Sequence, residues 1–481
     1  MVGMWNVKST SPRPRWTCGG MSSHEEATRM FGSFLLSSVL AAGQAAPSAP
    51  SAPLPTTPTS GAPVASKPAP VAGPVVSGPV GEVAPAPSSG DAEKYAFMRS
   101  LEGTKAGQTM EQHGLFITGW VAGSYNFSSA AQSNSPLAWT DRSNEPMLQQ
   151  AWVRFGKAID TKKDEFQLGF QADFLYGSDY RFTLPRGLLN GQLQNANGNQ
   201  NIYGFDPIQH YIAAYVPGLF EGTEFRVGRV YTPWGVESLE AVSTPLITRS
   251  YAFNSSPPFT HSGVAAYVNF SKELSGTFMV ANGNDIYFGA SGQDWRGVGA
   301  VKWTSPDDGK TTVTFATSLG RGAFNAGSPY LAPTAALATE PFGRNNFNAF
   351  DLVVTRSINE QLSTAVELIY GYQSNVPAAA APGKAGNGSG TAQWASAAGY
   401  LFYKLSDEIT LTTRLEGFND FQGQRTGFEG LYLSATTGVS FKPAPGLIFR
   451  TEARYDYNIE TRPFEGDPGI FVLAAELIFR F

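Results

Sequence analysis

The sequence predicts an all-β fold, a transmembrane antiparallel up-and-down β-barrel of about 16 strands. Three observations predict it. From residue 114 onward, segments of roughly 9–13 residues alternate between apolar and polar side chains with a period of two, which is typical of strands. Short and long connections alternate between these segments, and aromatic residues collect at the segment ends. Short periplasmic turns, long extracellular loops and two aromatic girdles are features of an outer-membrane barrel.

The predicted strands follow one another without an intervening helical pattern. They lie at 114–127, 147–158, 164–176, 208–216, 223–230, 261–270, 274–282, 295–304, 309–319, 346–356, 361–371, 394–404, 408–418, 430–442, 446–457 and 470–481. The short connections are 158–164, 216–222, 270–274, 304–310, 356–361, 404–408 and 442–446, in which Pro, Gly, Asp and Asn favour tight turns. The long connections include 177–207, 231–259, 320–345 and 372–393.

The N-terminal part of the chain has a different composition. An apolar run at 31–42 is too short to cross a membrane as a helix, which needs about 20 residues, and it has the length of a secretory signal. Residues 1–45 are therefore predicted to be a presequence with a signal peptide. Residues 46–113 are predicted to be a Pro/Ala-rich disordered periplasmic spacer with a short helix near 91–112, and residues 114–481 to be the barrel.

Composition narrows the functional classes. Of the 481 residues, 15% are charged and 13% are aromatic, and no run of Lys or Arg indicates a nucleic-acid partner. The four histidines, at positions 24, 113, 210 and 261, lie in no Ser-His-Asp or His-Glu-x-x-His spacing. An outer-membrane enzyme therefore stays only as an alternative, and the sequence predicts no catalytic residue, no metal site and no cofactor.

Each predicted strand carries one apolar face and one polar face. Strand 446–457 is the clearest case, with Phe449 and Tyr455 on one face and Arg450 and Glu452 on the other. A soluble β-sandwich would also have such faces, but so many strands would leave open sheet edges, which closure into a barrel removes. A barrel of about 16 strands is too wide for its own side chains to fill, so the inward charges are expected to be solvated in an aqueous channel.

The period-two alternation identifies the charged residues that face inward and should line this channel. The signs of the charges nearly cancel, so the wall predicts no strong ion selectivity. Arg229 breaks the parity and would face lipid, unless Gly228 marks a β-bulge or the position already lies at the membrane interface. The predicted pore-lining residues are Arg154, Asp173, Arg226, Lys302, Asp351, Glu367, Arg414, Glu416, Arg450, Glu452, Arg454, Asp456, Glu476 and Arg480, with Glu224 beside them.

Residues 225–270 carry a motif. It reads Gly-Arg-x-Tyr-Thr-Pro-x-Gly at 228–235, then Arg-Ser-Tyr at 249–251 and Thr-His-x-Gly at 260–263. The stretch resembles the OmpL-like outer-membrane β-barrel porins (porin-2 type), and the likeness runs from residue 114 to residue 481. The resemblance implies passive diffusion of small hydrophilic solutes through a water-filled barrel in the cell outer membrane. It implies outer-membrane lipid, lipopolysaccharide and the outer-membrane assembly machinery as partners, and it leaves open whether the barrel is a homotrimer.

Residues 231–259 form the third long loop. In sixteen-stranded porins the third loop folds into the lumen, so the resemblance implies a constriction that carries Glu237, Glu240 and Arg249. The two glutamates are then expected to face Arg414, Arg450 and Arg454 on the opposite wall and to set a transverse electric field. An external loop packed at the rim of the barrel is the alternative.

The last strand ends on an aromatic residue, Phe481. A terminal aromatic resembles the signal that the outer-membrane assembly machinery recognises, so Phe481 is the predicted assembly signal. A further alternative for the whole protein is a structural or adhesive barrel, which its own loops plug and which the Pro-rich segment tethers to the cell wall.

Overall fold

The computed structural model describes residues 95–481 with gaps at 196, 198, 290–294, 323–346 and 378–388. The predicted presequence, residues 46–94 of the predicted spacer and most of the predicted loop 320–345 lie outside the described residues. Among the helices of the described chain, none is long and apolar enough to span a membrane.

Sixteen antiparallel strands form a closed barrel. Each strand pairs with the next along the chain, and β1 pairs with β16 to close the ring. The strands are β1 (Leu115–Ser128), β2 (Pro146–Lys157), β3 (Gln167–Gly177), β4 (Gly204–Val216), β5 (Thr223–Tyr231), β6 (Thr260–Asn269), β7 (Leu274–Ala281), β8 (Arg296–Thr304), β9 (Thr311–Leu319), β10 (Asn348–Ser357), β11 (Leu362–Pro377), β12 (Ser389–Lys404), β13 (Ile409–Asp420), β14 (Gly430–Ala444), β15 (Leu447–Asn458) and β16 (Gly469–Arg480). The described helices are α1 (Ala96–Ser100), α2 (Lys105–His113), α3 (Tyr180–Thr183) and α4 (Tyr251–Ser255), and Asn190–Leu193 forms a 3-10 turn.

The barrel confirms the predicted fold class and every predicted strand. The largest difference in boundaries concerns β11 and β12, whose extensions shorten the predicted loop 372–393. Their ladder passes an irregularity between Gln373 and Val376, where Asn375 adopts a positive φ of 58°. Because such an irregularity interrupts the period of two, the sequence pattern ends before the strands do.

Two short helices precede the barrel, where the sequence predicted a disordered spacer with one short helix. The Thr104 hydroxyl caps α2 by accepting the Gly107 N–H at 3.1 Å, and Gly114 ends this helix with a φ of +66°. Residues 96–100 and 105–113 are thus helical rather than disordered. The Pro-rich bias that predicts disorder stops before this segment, and its two capping residues are the signal that could have placed α2.

The two faces of the barrel differ as predicted. In β15, Phe449 and Tyr455 are exposed on the outer face, whereas Arg450 and Glu452 are buried on the inner face. Large apolar side chains are exposed on the outer face of most strands, and Trp303 is one of the exposed aromatics near a strand end. A lipid phase covers such an apolar band, which is the arrangement of an outer-membrane barrel.

Arg229 does not face lipid. Its side chain is fully buried and pairs with Asp206, with 2.6 Å between Nη1 and Oδ1. It also donates to the Thr183 carbonyl at 2.7 Å. The ladder is continuous at Gly228, and the nearest irregularity is a shift in the register between β3 and β4. The expectations that Arg229 faces lipid and that Gly228 marks a β-bulge are therefore wrong, because the counter-charge of Arg229 lies on a neighbouring strand that parity alone does not identify.

Replacing Asp206 by Ala should leave the Arg229 guanidinium buried without its counter-charge. Removing one partner of a buried ion pair costs about 3–5 kcal/mol, so the barrel should unfold at a markedly lower temperature in detergent. The temperature at which the unboiled protein loses its compact gel band measures this. Arg356→Ala is the control, since Arg356 is exposed and its replacement should leave the unfolding temperature unchanged. An unchanged unfolding temperature for Asp206→Ala would contradict a stabilising role for the pair.

Hydrogen bonds hold the junction between β1 and β16 at both of its ends. At one end the N–H and carbonyl of Phe481 bond the Gly119 carbonyl and N–H at 2.9 and 3.0 Å. A Cβ at Gly119 would lie 2.6 Å from the Phe481 ring, so the ring lies directly over this glycine. At the other end the Glu465 carboxylate accepts the backbone N–H groups of residues 131–133 at 2.8, 2.9 and 2.8 Å. Hydrogen bonds from these amides lower the pKa of the Glu465 carboxyl below its usual range, and the bond from the Ala131 N–H has the largest effect.

Glu465→Gln should loosen the contact between the last loop and the first at neutral pH, because an amide oxygen accepts hydrogen bonds more weakly than a carboxylate. Since the pKa of Glu465 is lowered in the folded state, its contribution is present above the usual Glu pKa of about 4 and is lost as the pH falls through the lower folded value. Hydrogen exchange at residues 131–133 should therefore be faster in E465Q than in the wild type at neutral pH.

At pH values below the folded pKa of Glu465, the two proteins should exchange at equal rates. The matched control is Glu221→Gln, because Glu221 lies in an exposed turn at the other end of the barrel. Equal exchange of wild type and E465Q at neutral pH would rule out the contact.

Candidate functional site

The loop between β5 and β6, residues 232–259 and here called L3, has a defined internal structure. Gly235 adopts a φ of +81°, which favours glycine. Ser250 caps α4, since its Oγ accepts the Phe253 N–H at 2.9 Å. The Ser250 N–H and hydroxyl donate to Glu237 Oε2 at 2.8 and 3.1 Å. These bonds join the outgoing and returning arms of L3.

Carboxylates on the wall opposite β5 accept backbone N–H groups of L3. Glu452 on β15 accepts the Ile247 and Thr248 N–H groups at 2.7 and 3.1 Å, and also the Thr248 hydroxyl. Glu416 on β13 accepts the first two N–H groups of α4 at 2.9 and 2.5 Å. Because β13 lies halfway around the ring from β5, L3 crosses the whole bore of the barrel.

Arginines on the same wall bind carbonyl oxygens of L3. Arg450 donates to the Thr244 and Ala241 carbonyls at 2.6 and 2.9 Å. Arg454 donates to the Arg249 carbonyl at 2.6 Å. Backbone N–H groups of L3 thus bind the wall carboxylates, and its carbonyl groups bind the wall arginines. Charges that are removed from water need such hydrogen bonds to offset their lost hydration.

The two glutamates of L3 have different partners. Glu237 pairs with Arg414 on the opposite wall, and both side chains are fully buried. Glu240 instead pairs with Arg154 on β2, which also binds both oxygens of Asp173 at 2.9 and 2.6 Å. The prediction that Glu240 faces the arginines of the far wall is therefore wrong, because L3 passes β2 before it reaches that wall.

The inward charges under L3 are buried rather than solvated. Glu367, Arg414, Glu416, Arg454 and Asp456 are each 0% exposed. The sequence predicted solvated charges along an aqueous channel, and this prediction is wrong at the level of L3, because the loop covers the wall. Opposite charges also meet at contact distance here, so the separated rows of charge that a transverse field needs are absent from the described part of L3.

Several of the predicted wall residues form no hydrogen bond or ion pair with L3 in the described chain, among them Arg226, Arg480 and Lys302. The Arg226 guanidinium lies between the rings of Tyr211 and Tyr267, at 4.4 and 4.3 Å from their centroids. Arg480 lies over the ring of Tyr95 at 4.0 Å, and the third residue, Lys302, is half-buried on β8. Glu476 and Asp456 pair with Arg450 and Arg454, which in turn bind carbonyl oxygens of L3.

Uncharged residues that the sequence pattern did not select also support L3. The Gln150 side chain on β2 donates to one backbone carbonyl of L3 at 2.8 Å and accepts one N–H at 3.0 Å. The Trp139 ring, in the loop after β1, lies 5.4 Å from the Arg249 guanidinium. Its aromatic neighbours are Phe182, Phe253 and Phe259. The abundance of aromatics in the long connections was the one sequence signal for this packing.

The environment of the strand histidines offers no acid-base pair. His210 bonds a backbone carbonyl at 3.1 Å and the Tyr287 hydroxyl at 3.0 Å. His261 bonds a backbone carbonyl at 3.1 Å and the Thr232 hydroxyl at 3.3 Å. None of these partners is a carboxylate that would orient a general base. The residues that the structure describes also contain no group of three or more His, Cys, Asp or Glu residues able to hold a metal ion.

A closed sixteen-stranded barrel with an apolar outer face and a loop through its lumen defines the porin class of outer-membrane proteins. The chain matches the family described as "Putative beta-barrel porin-2, OmpL-like" over residues 114–481. Because this match spans the whole barrel, the chain belongs to that family, and the resemblance predicted from the sequence is confirmed. No curated protein matches the chain.

The chain is also similar to several solved porins at low sequence identity. The chain is similar to the anion-selective porin from Comamonas acidovorans, with 9% identity and a TM-score of 0.49 over 76% of this chain and 99% of that one. It is similar to Salmonella typhi OmpF in complex with daunomycin, with 10% identity and a TM-score of 0.49 over 77% and 99% of the two chains. It is similar to Pseudomonas putida OprB, with 12% identity and a TM-score of 0.48 over 78% and 96%.

Trypsin should report whether L3 is held against the wall. Arg249 is the one Lys or Arg residue in the sequence of L3, and it is 6% exposed. The folded wild type should therefore resist cleavage in L3. Glu452→Ala removes an acceptor of two L3 amides and should expose Arg249, so that trypsin yields two fragments on a denaturing gel.

The variant that combines Glu452→Ala with Arg249→Gln controls for cleavage at other loops, since it should lack those two fragments. A wild-type loop that is cut at Arg249 as fast as that of E452A would show that the wall contacts do not hold L3.

Proposed function

We propose that the protein is a diffusion channel for small hydrophilic solutes, in which L3 sets the width of the passage. The observation that carries this proposal is the course of L3 from β5 to the carboxylates of Glu416 and Glu452 on the far wall. A barrel of about 16 strands encloses a bore wide enough for water. A loop that crosses this bore leaves a narrower passage, and membership of a porin family supports a transport role.

The pairing of charges around L3 supports discrimination by size rather than by sign. Glu237 with Arg414 and Glu476 with Arg450 are each at contact distance. Opposite charges that cancel at such distances leave little net potential along a passage. We therefore expect the channel to select weakly between anions and cations.

Deleting residues 236–248 should raise the single-channel conductance in a planar bilayer, because it removes the arm of L3 that crosses the bore. An equally long deletion within the predicted Pro/Ala-rich spacer is the control and should leave the conductance unchanged. The same conductance for the wild type and the L3 deletion, in barrels that are both folded, would contradict the assignment of L3 as the constriction.

A structural barrel that its own loop closes is the second candidate function. Trp234 on L3 favours it, since this residue is 3% exposed and packs in one apolar cluster with Ala300 on β8 and Ala316 on β9. L3 thus covers part of the wall near β5 as well as the far wall. A folded wild type that passes no current, together with an L3 deletion that does, would favour the closed barrel over the channel.

The topology supports a periplasmic position for residues 95–113. Because α2 leads directly into β1 at the end of the barrel that carries the short turns, we infer that both short helices lie on the periplasmic side. Tyr95 there packs against Arg480. The presequence, the spacer, the lipid and assembly-machinery partners, the role of Phe481 in assembly and a homotrimer stay predictions.

A further inference from the structure

Lys302 on β8 is an inward cation without a counter-charge in the described chain. It has the parity of Ala300, which is 5% exposed, whereas Val301 and Trp303 on the outer face are 39% and 41% exposed. The Lys302 side chain is half-buried, and its ammonium group forms no ion pair or hydrogen bond with any described residue. Inward arginines such as Arg450 differ, since they pair with a carboxylate.

Two hydroxyl side chains flank Lys302 in the sheet. Ser275 on β7 lies opposite it on one side, and Thr314 on β9 lies opposite it on the other. Directly opposed residues of antiparallel strands have Cβ atoms about 5 Å apart, so these three side chains form one row. Thr314 is 1% exposed, and its hydroxyl is buried without a hydrogen-bond partner in the described chain. A buried hydroxyl of this kind is uncommon in a folded protein, and it is available to a ligand.

The row lies beside L3, on the side of the short turns. Trp234 of L3 packs in one cluster with Ala300 on β8 and Ala316 on β9. Because β8 runs from a long loop to the short connection with β9, Lys302 is the next inward residue after Ala300 toward the short turns. A solute that passes L3 at this wall therefore meets the row directly afterwards.

The inward residues below the row are also hydroxyls. Thr304, Thr312 and Thr355 lie opposite one another on β8, β9 and β10, and the hydroxyls of Thr312 and Thr355 share a hydrogen bond of 2.6 Å. Asp351, higher on β10, accepts the Gly235 N–H of L3 at 2.9 Å and forms no ion pair with the lysine. The ammonium group thus lies among hydroxyls rather than carboxylates.

We propose that Ser275, Lys302 and Thr314 form a binding site for an oxyanion, the carboxylate or phosphate group of a small solute, which rests on the proposed function of the barrel as a channel. The ammonium group supplies the charge and up to three donors, and each hydroxyl supplies one more. Hydrogen bonds from a charged donor to an anionic oxygen are about twice as strong as neutral ones.

The site agrees with the weak ion selectivity expected from the paired charges around L3. It adds one positive charge that those pairs do not cancel, so it retains anions without excluding cations. Conduction also requires that a bound solute leave again. A single cation with two neutral donors binds an oxyanion weakly enough for release.

Binding of inorganic phosphate and of acetate to the full-length barrel in detergent tests the site without relying on conduction. The NMR line broadening of each anion gives its dissociation constant, and the anion that binds more tightly identifies the group. Lys302→Gln should raise this constant roughly tenfold, because it removes a charge-assisted hydrogen bond. Thr314→Val should raise it roughly fivefold, because it removes a neutral donor of the same shape. Lys302→Arg should retain binding.

Arg356→Gln is the matched control. It also removes one positive charge, but Arg356 is exposed and bonds the Thr311 hydroxyl at 2.7 Å, away from the row. Both dissociation constants should stay as in the wild type. Equal binding by the wild type, K302Q and T314V would overturn the site, and so would an equal loss of binding in R356Q, which would reduce the effect to net charge.

Current through planar bilayers separates the site from the channel. The anion that binds more tightly should reduce the chloride current of the wild type and not that of K302Q. Anion binding that K302Q loses, in a folded barrel that passes no current, would leave the site standing and refute the channel. A current that the anion reduces equally in the wild type and K302Q, with equal dissociation constants, would leave the channel standing and refute the site.

Discussion

A closed ring of sixteen strands encloses a bore that its own side chains cannot fill. The rest of this structure depends on what occupies that bore. The inward charges must either meet water or be covered by protein with complementary partners. L3 covers them here. Wall carboxylates such as Glu452 accept its N–H groups, wall arginines such as Arg450 bind its carbonyls, and Glu237 brings its own charge to Arg414.

The two edges of L3 differ in how well their charges are matched. On β13 and β15, the described contacts satisfy each charge with several hydrogen bonds, as for Glu416 with the N-terminus of α4. On β10 and β11, Asp351 makes one hydrogen bond to L3, and Glu367 makes none. Breaking the first edge exposes many satisfied groups, whereas breaking the second lets unsatisfied carboxylates regain water. Motion of L3 is therefore expected to begin at the β10–β11 edge.

The strands and their faces could be predicted from the sequence because a period of two decides the face of each residue from its neighbours in the chain. The opposition of Glu237 and Arg414 followed from the family resemblance, which placed the third loop in the lumen. The pairing of Glu240 with Arg154 depends instead on the path of L3, which no local pattern encodes. The burial of the charged side chains on the far wall follows from the same path of L3, so the sequence did not predict it. The Asp206 partner of Arg229 lies beside an irregularity in the pairing of β3 with β4, which the alternation does not reveal.

A density map of the purified, folded barrel in lipid nanodiscs, detailed enough to trace L3, tests the central claim most directly. The account predicts continuous density for residues 232–259 across the lumen, with Glu237 against Arg414 and the α4 amides against Glu416. A loop that packs at the extracellular rim, above an open bore with its wall charges in water, would contradict it.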